Sequence, residues 1–218
     1  MIDVRDLTKQ YGKYESAVIA LNHVSLTVQA HEMTAVIGKS GSGKTTLLNL
    51  LGGLDTPTGG SVVIGGTDIT KLNDTQLADF RLRHIGFVFQ FFDLLPELTA
   101  AENILLPAKL AHLPAKQFDA LTAQLGLSDR LTHYPAQLSG GQQQRAAIAR
   151  ALINQPDVLL CDEPTGALDS KTAAEIMEVL KELNRTGTTI IIVTHDKSIA
   201  QQCGRIMEIA DGCLVSDA

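Results

Sequence analysis

Apolar positions in the first third of the chain follow the two-residue period of β-strands. Val24, Leu26 and Val28 alternate with polar residues, as in a strand with one buried face. Residues 33–37 and 62–64 are short apolar runs rich in β-branched residues, which is typical of fully buried strands. The pattern therefore predicts that this part of the chain is mostly β-structure.

The rest of the chain alternates between helical and strand patterns. Residues 91–153 have a mainly helical pattern, with a capping box at residues 99–102. A strand pattern over residues 157–162 is followed by a helix over 171–184 and a strand over 188–194. This order predicts a parallel α/β core. Because the helical middle is too long for one crossover, we expect it to form an inserted lobe.

Composition limits the possible functions. Of the 218 residues, 44% are hydrophobic and 19% are charged, which is enough apolar material for a sizeable core. The formal net charge of -6 makes the chain a poor sequence-independent ligand for nucleic acid, so any polyanion must bind at a local site. The chain has no bilayer-spanning apolar run and no secretory signal pattern. Its odd number of cysteines, three, suits a reducing compartment, so we expect a cytoplasmic protein.

Residues 38–45 read Gly-Lys-Ser-Gly-Ser-Gly-Lys-Thr, the pattern of a phosphate-binding loop. A buried-strand pattern precedes them and an apolar helix pattern follows, which is the setting that this motif requires. The glycines let backbone N–H groups face a triphosphate, Lys44 supplies a cation for its β and γ phosphates, and Thr45 offers a hydroxyl to Mg²⁺. The alternative is a glycine-rich turn that only caps a helix. The candidate nucleotide-binding residues are Gly38, Ser40, Gly41, Ser42, Gly43, Lys44, Thr45 and Thr46.

Two acidic residues follow the apolar strand pattern at 158–161. Asp162 is a candidate ligand of Mg²⁺, through water, and Glu163 is a candidate base that orients the attacking water. Pro164 biases Glu163 away from the helical region, so the two carboxylates would point differently. A solvated acidic turn is the simpler alternative. His195 ends another strand pattern and is a candidate hydrogen-bond donor to the γ-phosphate, or else a local hydrogen-bonding residue.

Residues 138–142 read Leu-Ser-Gly-Gly-Gln. This matches the signature sequence of the ATP-binding-cassette (ABC) ATPases, which the chain resembles over essentially its full length. The other family motifs appear in order: the Walker A loop, Gln90, the Walker B strand with Asp162 and Glu163, Ala-Leu-Asp at 167–169, and His195. The finer similarity is to the ATPases of lipoprotein release, macrolide or peptide export and antimicrobial-peptide resistance.

This resemblance implies a fold and a division into subdomains. The fold is an α/β P-loop NTPase with a RecA-like parallel core, an antiparallel β subdomain and an inserted helical subdomain. Residues 1–218 would form a single ATP-binding domain. The β subdomain and core would cover about 1–90, the helical subdomain about 91–153, and the rest of the core about 154–218.

The resemblance also implies an ATP-sandwich homodimer. Each ATP would lie between the phosphate loop of one copy and the signature of the other. Gln90 would contact Mg²⁺ and water, and Tyr11 would stack on adenine, unless Tyr11 is an ordinary loop aromatic. The signature could instead be a simple helix N-cap. The residues that would face the nucleotide across the interface are Ser139, Gly141, Gln142 and Asp169.

The implied function is an ATPase subunit, peripheral on the inner face of the cell membrane, that drives separate transmembrane permease subunits. The resemblance to this subgroup of ABC ATPases implies export of, or resistance to, a peptide, lipoprotein or drug. A regulatory ATPase of the cell-division type, which transmits force without transport, shares every site residue. A DNA-repair or chromosome-structuring head is disfavoured, since no long coiled coil interrupts the chain. The apolar residues after Gln90 are either core or a permease-docking surface: Phe91, Phe92, Leu94 and Leu95.

Overall fold

A computed structural model describes residues 1–12 and 17–218 of the chain. The chain divides into two compact units. The first unit comprises residues Met1–Ala78 and Thr189–Ala218, and the second comprises Asp79–Thr188. The finer division into subdomains at about residues 90 and 153 stays a prediction.

Strands and helices alternate through most of the described chain. The strands are β1 (Ile2–Tyr11), β2 (Val18–Val28), β3 (Met33–Ile37), β4 (Gly59–Ile64), β5 (Thr67–Asp68), β6 (Ile85–Val88), β7 (Val158–Asp162), β8 (Thr189–Val193), β9 (Arg205–Ala210) and β10 (Cys213–Asp217). The α-helices are α1 (Lys44–Leu51), α2 (Asp74–His84), α3 (Ala100–Leu110), α4 (Phe118–Gln124), α5 (Gly140–Leu152), α6 (Ser170–Arg185) and α7 (Lys197–Ala200).

The first unit contains an antiparallel sheet with the strand order β2-β1-β4-β5. Its strands bury alternate residues, such as Ile2 and Val4 of β1, because successive side chains of a strand point to opposite faces. A register shift between Val4 and Leu7 interrupts the alternation, and Leu7 is buried as well. The predicted alternation at Val24 and Leu26 is likewise buried on β2. The predicted β-rich first third and its antiparallel sheet are therefore confirmed.

A second set of strands in the first unit is mainly parallel. Strand β3 pairs in parallel with both β8 and β9, and β10 pairs antiparallel with β9. All five residues of β8 are buried, and only the last residue of β3 is not fully buried. Such continuous apolar strands are expected where both faces of a parallel sheet are covered. The predicted α/β class is confirmed.

In the second unit, β6 pairs in parallel with β7, and Val88 lies opposite Cys161. Helix α5 packs on β6 and buries a run of small residues that includes Ala146, Ala147 and Ala149. Helix α6 buries the face that the sequence predicts, formed by Ile176, Met177, Leu180 and Leu183. The predicted capping box also forms, with Thr99 at the N-cap of α3 and Glu102 as its partner.

Two features depart from the sequence pattern. Residues 91–153 are not continuously helical, since turns and irregular segments separate α3, α4 and α5. Helix α2 was not predicted, because Phe80 is its one buried residue and the helix therefore lacks an apolar stripe. None of the helices in the described part of the chain has the length and apolar character of a membrane-spanning helix.

Candidate active site

The loop that leads into α1 has the geometry of an anion-binding nest. Gly43 is the N-cap of α1 with a φ of 108°, and no side chain caps the helix. A Cβ atom at Gly43 would lie 2.4 Å from the carbonyl oxygen of Ala20, so only glycine fits there. The first turn of α1 contains no acidic residue. Its N–H groups and the positive end of the helix dipole are therefore available to an anion.

Two buried polar groups of the loop fit a bound phosphate. The ammonium group of Lys44 donates to the carbonyl oxygens of Gly38 and Lys39, at 2.9 and 2.8 Å, although only 9% of the residue is exposed. The hydroxyl of Ser42 is buried and has no hydrogen-bond partner in the described part of the chain. Buried polar atoms are rarely left unpaired, so this hydroxyl indicates a ligand with acceptor oxygens. Thr45 is exposed at the start of α1.

Tyr11, the predicted adenine-stacking residue, is held by a polar cluster at the end of β1. Its hydroxyl donates to Asp55 at 2.8 Å, and the ammonium group of Lys9 lies 4.8 Å from the ring centroid. Lys9 also donates to Asp55 at 2.6 Å and to the carbonyl oxygen of Thr56 at 2.7 Å. The ring is 42% exposed, so part of its surface is open to a ligand.

The directions in which the pKa values of Tyr11 and Asp55 shift agree with the geometry of this cluster. Burial and the hydrogen bond to Asp55 raise the pKa of Tyr11, while the nearby hydroxyl of Thr46 acts in the opposite direction. Burial of Asp55 opposes its ionisation, but hydrogen bonds from Lys9, Tyr11 and Thr56 outweigh burial and lower its pKa. The hydroxyl of Tyr11 therefore stays protonated and faces a carboxylate, beside Thr46, which directly follows the phosphate loop.

The register of the parallel strands places His195 near the phosphate loop. Val36 of β3 pairs with Val193 of β8, and the loop residue Gly38 and His195 each follow two residues later. The backbone N–H of Thr194 donates to the carbonyl oxygen of Val36 at 3.1 Å. His195 itself is exposed. The first unit therefore brings together Tyr11, His195 and the phosphate loop.

In the second unit, the register of two parallel strands relates Gln90 to Glu163 in the same way. Since Val88 pairs with Cys161, these two residues each lie two positions beyond a paired position, at one edge of the strand pair. A Cβ atom at Gly166 would lie 2.8 Å from the side-chain nitrogen of Gln90, so the amide packs against that backbone. Asp162 is the last residue of β7 and is half-buried.

Glu163 adopts a backbone conformation that is rare for its residue type. Its φ is 47°, in the left-handed region. The following proline predicts a residue outside the right-handed helical region, which holds, but it favours the extended region and does not explain the positive φ. The carbonyl oxygen of Glu163 accepts from the backbone N–H of Gly166 at 3.0 Å. A non-glycine residue in this region costs about 1–2 kcal/mol, and such residues cluster at functional sites.

The signature residues form the start of α5, next to the start of α6. Ser139 is the N-cap of α5 and forms a capping box with Gln142, so the N-cap interpretation of Ser139 is correct as a description of local structure. Asp169 caps α6, and its hydrogen bonds from Thr172 lower its pKa. A Cβ atom at Gly141 would lie 2.5 Å from the methyl group of Thr172. The second unit thus places two helix N-termini side by side.

The apolar residues that follow Gln90 are largely at the surface. Phe91 is 73% exposed and Leu95 is 44% exposed, so the core alternative does not hold for these two side chains. Phe92 and Leu94 are half-buried. The segment is nevertheless well anchored, because buried Asn103 makes four hydrogen bonds to the backbone of residues 95–99.

Sequence reasoning missed the residues that hold the site residues in place. Asp55 and Lys9 support Tyr11, and Asn103 shapes the exposed apolar segment. Asp55 lies 44 positions from Tyr11, so no local pattern connects them. Among residues 1–12 and 17–218, no group of three or more His, Cys, Asp and Glu residues could hold a metal ion. The predicted Mg²⁺ ligands Thr45, Gln90 and Asp162 include a single carboxylate.

Comparison with protein families gives a match over most of the chain. A family profile described as "ABC transporter" matches residues 21–166. The macrolide export ATP-binding/permease protein MacB of Vibrio parahaemolyticus is 48% identical over 100% of this chain. That alignment covers 34% of MacB, so the chain spans about a third of the length of this relative. The lipoprotein-releasing system ATP-binding protein LolD of Geobacter metallireducens is 49% identical, and the alignment covers 100% of this chain and 99% of LolD.

Solved structures give the same result. The dimeric structure of a post-hydrolysis state of the ATP-binding cassette MJ0796, bound to ADP and Pi, superposes with a TM-score of 0.91. It is 42% identical, and the match covers 100% of this chain and 98% of that one. A second dimeric structure of MJ0796, described as a bacterial ABC transporter cassette, is 43% identical with the same TM-score.

Proposed function

The chain belongs to the ABC transporter family as one of its ATP-binding ATPase units, and we propose that it powers a separate membrane permease by hydrolysing ATP. In this proposal two copies pair around ATP at the cytoplasmic face of the membrane. The permease exports, or confers resistance to, a peptide, lipoprotein or drug. The names of the relatives, which concern macrolide export and lipoprotein release, favour transport over a purely regulatory role.

The observation that carries the proposal is the unfilled bonding capacity of the phosphate loop. Three features of the loop suit phosphate oxygens. The start of α1 has no side-chain cap, the ammonium group of Lys44 is buried, and the hydroxyl of Ser42 has no partner among the described residues. On binding, Lys44 would exchange its loop carbonyl partners for phosphate oxygens. Charge-assisted bonds of this kind are about twice as strong as neutral ones.

The proposed division of labour follows from residue chemistry. Glu163 orients or deprotonates the attacking water, and Lys44 and His195 donate to phosphate oxygens as negative charge shifts in the transition state. The candidate ligands of Mg²⁺ are Thr45, Gln90 and Asp162, whose oxygens are the hard donors that this cation takes. When bound, Mg²⁺ would neutralise phosphate charge.

The proposed dimer uses a second anion-binding surface. Ser139, Gly141 and Gln142 begin α5, and Asp169 begins α6 next to it. The positive end of the α5 dipole would face the γ-phosphate of ATP on the other copy. The dimeric state of the solved relatives supports this role. Loss of the γ-phosphate would then weaken the pairing.

We propose that the exposed apolar segment after Gln90 is where the permease docks. Exposed phenylalanine and leucine side chains on a well-anchored segment are typical of protein-binding surfaces. Here Phe91 and Leu95 are exposed, while Asn103 fixes the backbone beneath them. Docking beside Gln90 would connect the permease to a residue of the catalytic centre.

Hydrolysis by the purified protein tests the proposed function. We expect Mg-ATP hydrolysis by the wild type and a loss of at least about 100-fold in kcat for Glu163→Gln, which keeps the shape but not the charge. Glu97→Gln, at an exposed carboxylate of the same unit, is the matched control and should retain wild-type activity. An inactive wild type would contradict the function, and an active Glu163→Gln variant would contradict the role of Glu163.

A further inference from the structure

Helix α5 carries a buried amide that the proposed chemistry does not use. Gln144 is 0% exposed and lies two positions beyond the signature residues. Its side-chain nitrogen lies 2.5 Å from the carbonyl oxygen of Pro164 and 3.5 Å from that of Phe89. Gln144 thus bridges two segments that are far apart in the sequence.

The two carbonyl groups belong to the neighbours of proposed active-site residues. Pro164 directly follows Glu163, and Phe89 directly precedes Gln90. The two segments are the continuations of β7 and β6, which are paired in register. The side chain of Gln144 therefore contacts the backbone directly next to both Gln90 and Glu163.

The orientation of the amide follows from its surroundings. Both neighbouring groups are acceptors, so the NH₂ group must face them. The side-chain oxygen of Gln144 is then buried and has no partner among the described residues. An unpaired buried acceptor costs about 1–3 kcal/mol, and an unbranched apolar side chain would avoid that cost. This cost offsets part of the stability that the two donated bonds contribute.

The backbone at Glu163 gives a reason for the bridge. A left-handed residue persists only where its surroundings hold it, and a proline follows it here. The bond from Gln144 to Pro164 holds the far side of the turn, and the bond from Gly166 to Glu163 closes it. Without the first bond, the turn would lose a restraint and the Glu163 carboxylate would be less well placed.

We propose that Gln144 is a positioning residue that ties the signature helix to the backbone of Gln90 and Glu163. It contacts no substrate and acts through these two residues, so the inference rests on the proposed ATPase function. Any shift of α5 at the dimer interface would be transmitted to both active-site residues through this one amide.

The test replaces the amide with an apolar side chain of similar length. In Gln144→Met the carbonyl oxygens of Pro164 and Phe89 lose this donor, while the unpaired side-chain oxygen disappears. These two changes oppose each other, so we expect the melting temperature to stay within about 5 °C of that of the wild type. The kcat for ATP should fall by at least about tenfold, while KM changes by less than about twofold, because ground-state binding is spared. Gln143→Met is the matched control, since its amide donates only to the carbonyl oxygen of Leu138 among the described residues.

A second variant supplies a pH readout. In Gln144→Glu a carboxylate would face two carbonyl oxygens, whereas the protonated acid can donate one hydrogen bond to them. We expect its kcat, relative to wild type at the same pH, to be higher at pH 6 than at pH 8. An unchanged kcat in Gln144→Met, or a loss that Gln143→Met reproduces, would overturn the proposal. Wild type and Glu163→Gln in the same assay separate this failure from a failure of the proposed function.

Discussion

Lys44 shows how a single residue prepares the phosphate loop. Its ammonium group is nearly buried and bonded to two loop carbonyl oxygens, which places a positive charge at the uncapped start of α1. Lys39, in the same loop, is exposed. The two lysines carry the same charge, so a difference between them reports on position and not on overall electrostatics.

Removing the buried lysine should weaken nucleotide binding strongly. Charge-assisted hydrogen bonds contribute about 1.5–3 kcal/mol, so Lys44→Ala should raise the Kd for ATP by about 10–100-fold. Lys39→Ala should change it by less than about threefold, because an exposed charge is screened. Isothermal titration calorimetry measures both. Equal effects of the two substitutions would show that Lys44 has no specific role.

Tyr11 allows the ring and the hydroxyl to be tested separately. Stacking of a base on an aromatic ring contributes about 1–3 kcal/mol, so Tyr11→Ala should weaken ATP binding by about 5–100-fold. Tyr11→Phe keeps the ring but loses the bond to Asp55, and its effect should stay below about fivefold. Binding of inorganic triphosphate should not change in either variant. If Tyr11→Ala weakens triphosphate binding equally, the ring does not contact adenine.

Sequence patterns predict the site residues better than their supports. The phosphate loop and the carboxylates after β7 stand out because glycine spacing and a strand that ends in acidic residues are local signals. The hydrogen bonds that join Asp55 to Tyr11 and Gln144 to Pro164 are tertiary contacts. Such contacts leave no periodic trace in the sequence.

Helices α5 and α6 show why small residues occur where two elements meet. A Cβ atom at Gly141 would clash with Thr172, and one at Gly140 would lie 3.3 Å from Leu168. The signature glycines therefore allow the two helix N-termini to approach closely. This packing role adds to any contact that they make with nucleotide.

The packing role of Gly141 can be separated from its binding role. Gly141→Ala should lower the free energy of unfolding by about 1–3 kcal/mol through overpacking against the Thr172 methyl group. Adding Thr172→Ser removes that methyl but keeps the hydroxyl that donates to Asp169, so stability should recover. Urea unfolding measures both. A double variant no more stable than Gly141→Ala would show that the clash is not the cause.

Arg205 links three segments of the first unit. It forms a two-armed ion pair with Asp217 of β10, with both distances 2.5 Å, and also contacts Glu32 at 3.1 Å and the carbonyl oxygen of Thr27 at 2.7 Å. The hydrogen bond to Arg205 lowers the pKa of Asp217. For Glu32, burial opposes ionisation, but bonds from Gln29 and Arg205 lower the pKa.

Acid should weaken this link. The two carboxyl groups stabilise the fold above their ordinary pKa values of 3.8 and 4.5, and that stability is lost as the pH falls through their lower folded values. Arg205→Met should cost about 1 kcal/mol at pH 7, and the difference from wild type should shrink below about pH 4. Arg185→Met, at an exposed pair with Glu182, is the control. A difference that stays constant down to pH 2.5 would contradict this account.

Elements with strong periodicity were predictable, and elements without it were not. Helix α6 buries one clear apolar face and matches its predicted limits within a residue. Helix α2 buries only Phe80, and its remaining positions resemble a polar loop. Tertiary context, not an apolar stripe, accounts for such a helix.

At the scale of the whole molecule, the chain carries two candidate anion-binding surfaces, one in each unit. One is the phosphate loop at α1, and the other is the signature at the start of α5. Both candidates stand out in the sequence, because each combines glycines with the start of a helix. In the proposed dimer each ATP would contact one surface from each copy. An acidic chain of net charge -6 would then associate through a bound polyanion and not through its overall charge.

The most direct test of this claim is the mass of the hydrolysis-deficient protein in solution, measured by size exclusion with light scattering. Glu163→Gln should elute at the 23.3 kDa monomer mass without nucleotide and at twice that mass in saturating Mg-ATP. Adding Ser139→Arg should restore the monomer while ATP still binds, because a bulky cation would occupy the start of α5. A Glu163→Gln protein that remains monomeric with ATP bound would contradict the central claim.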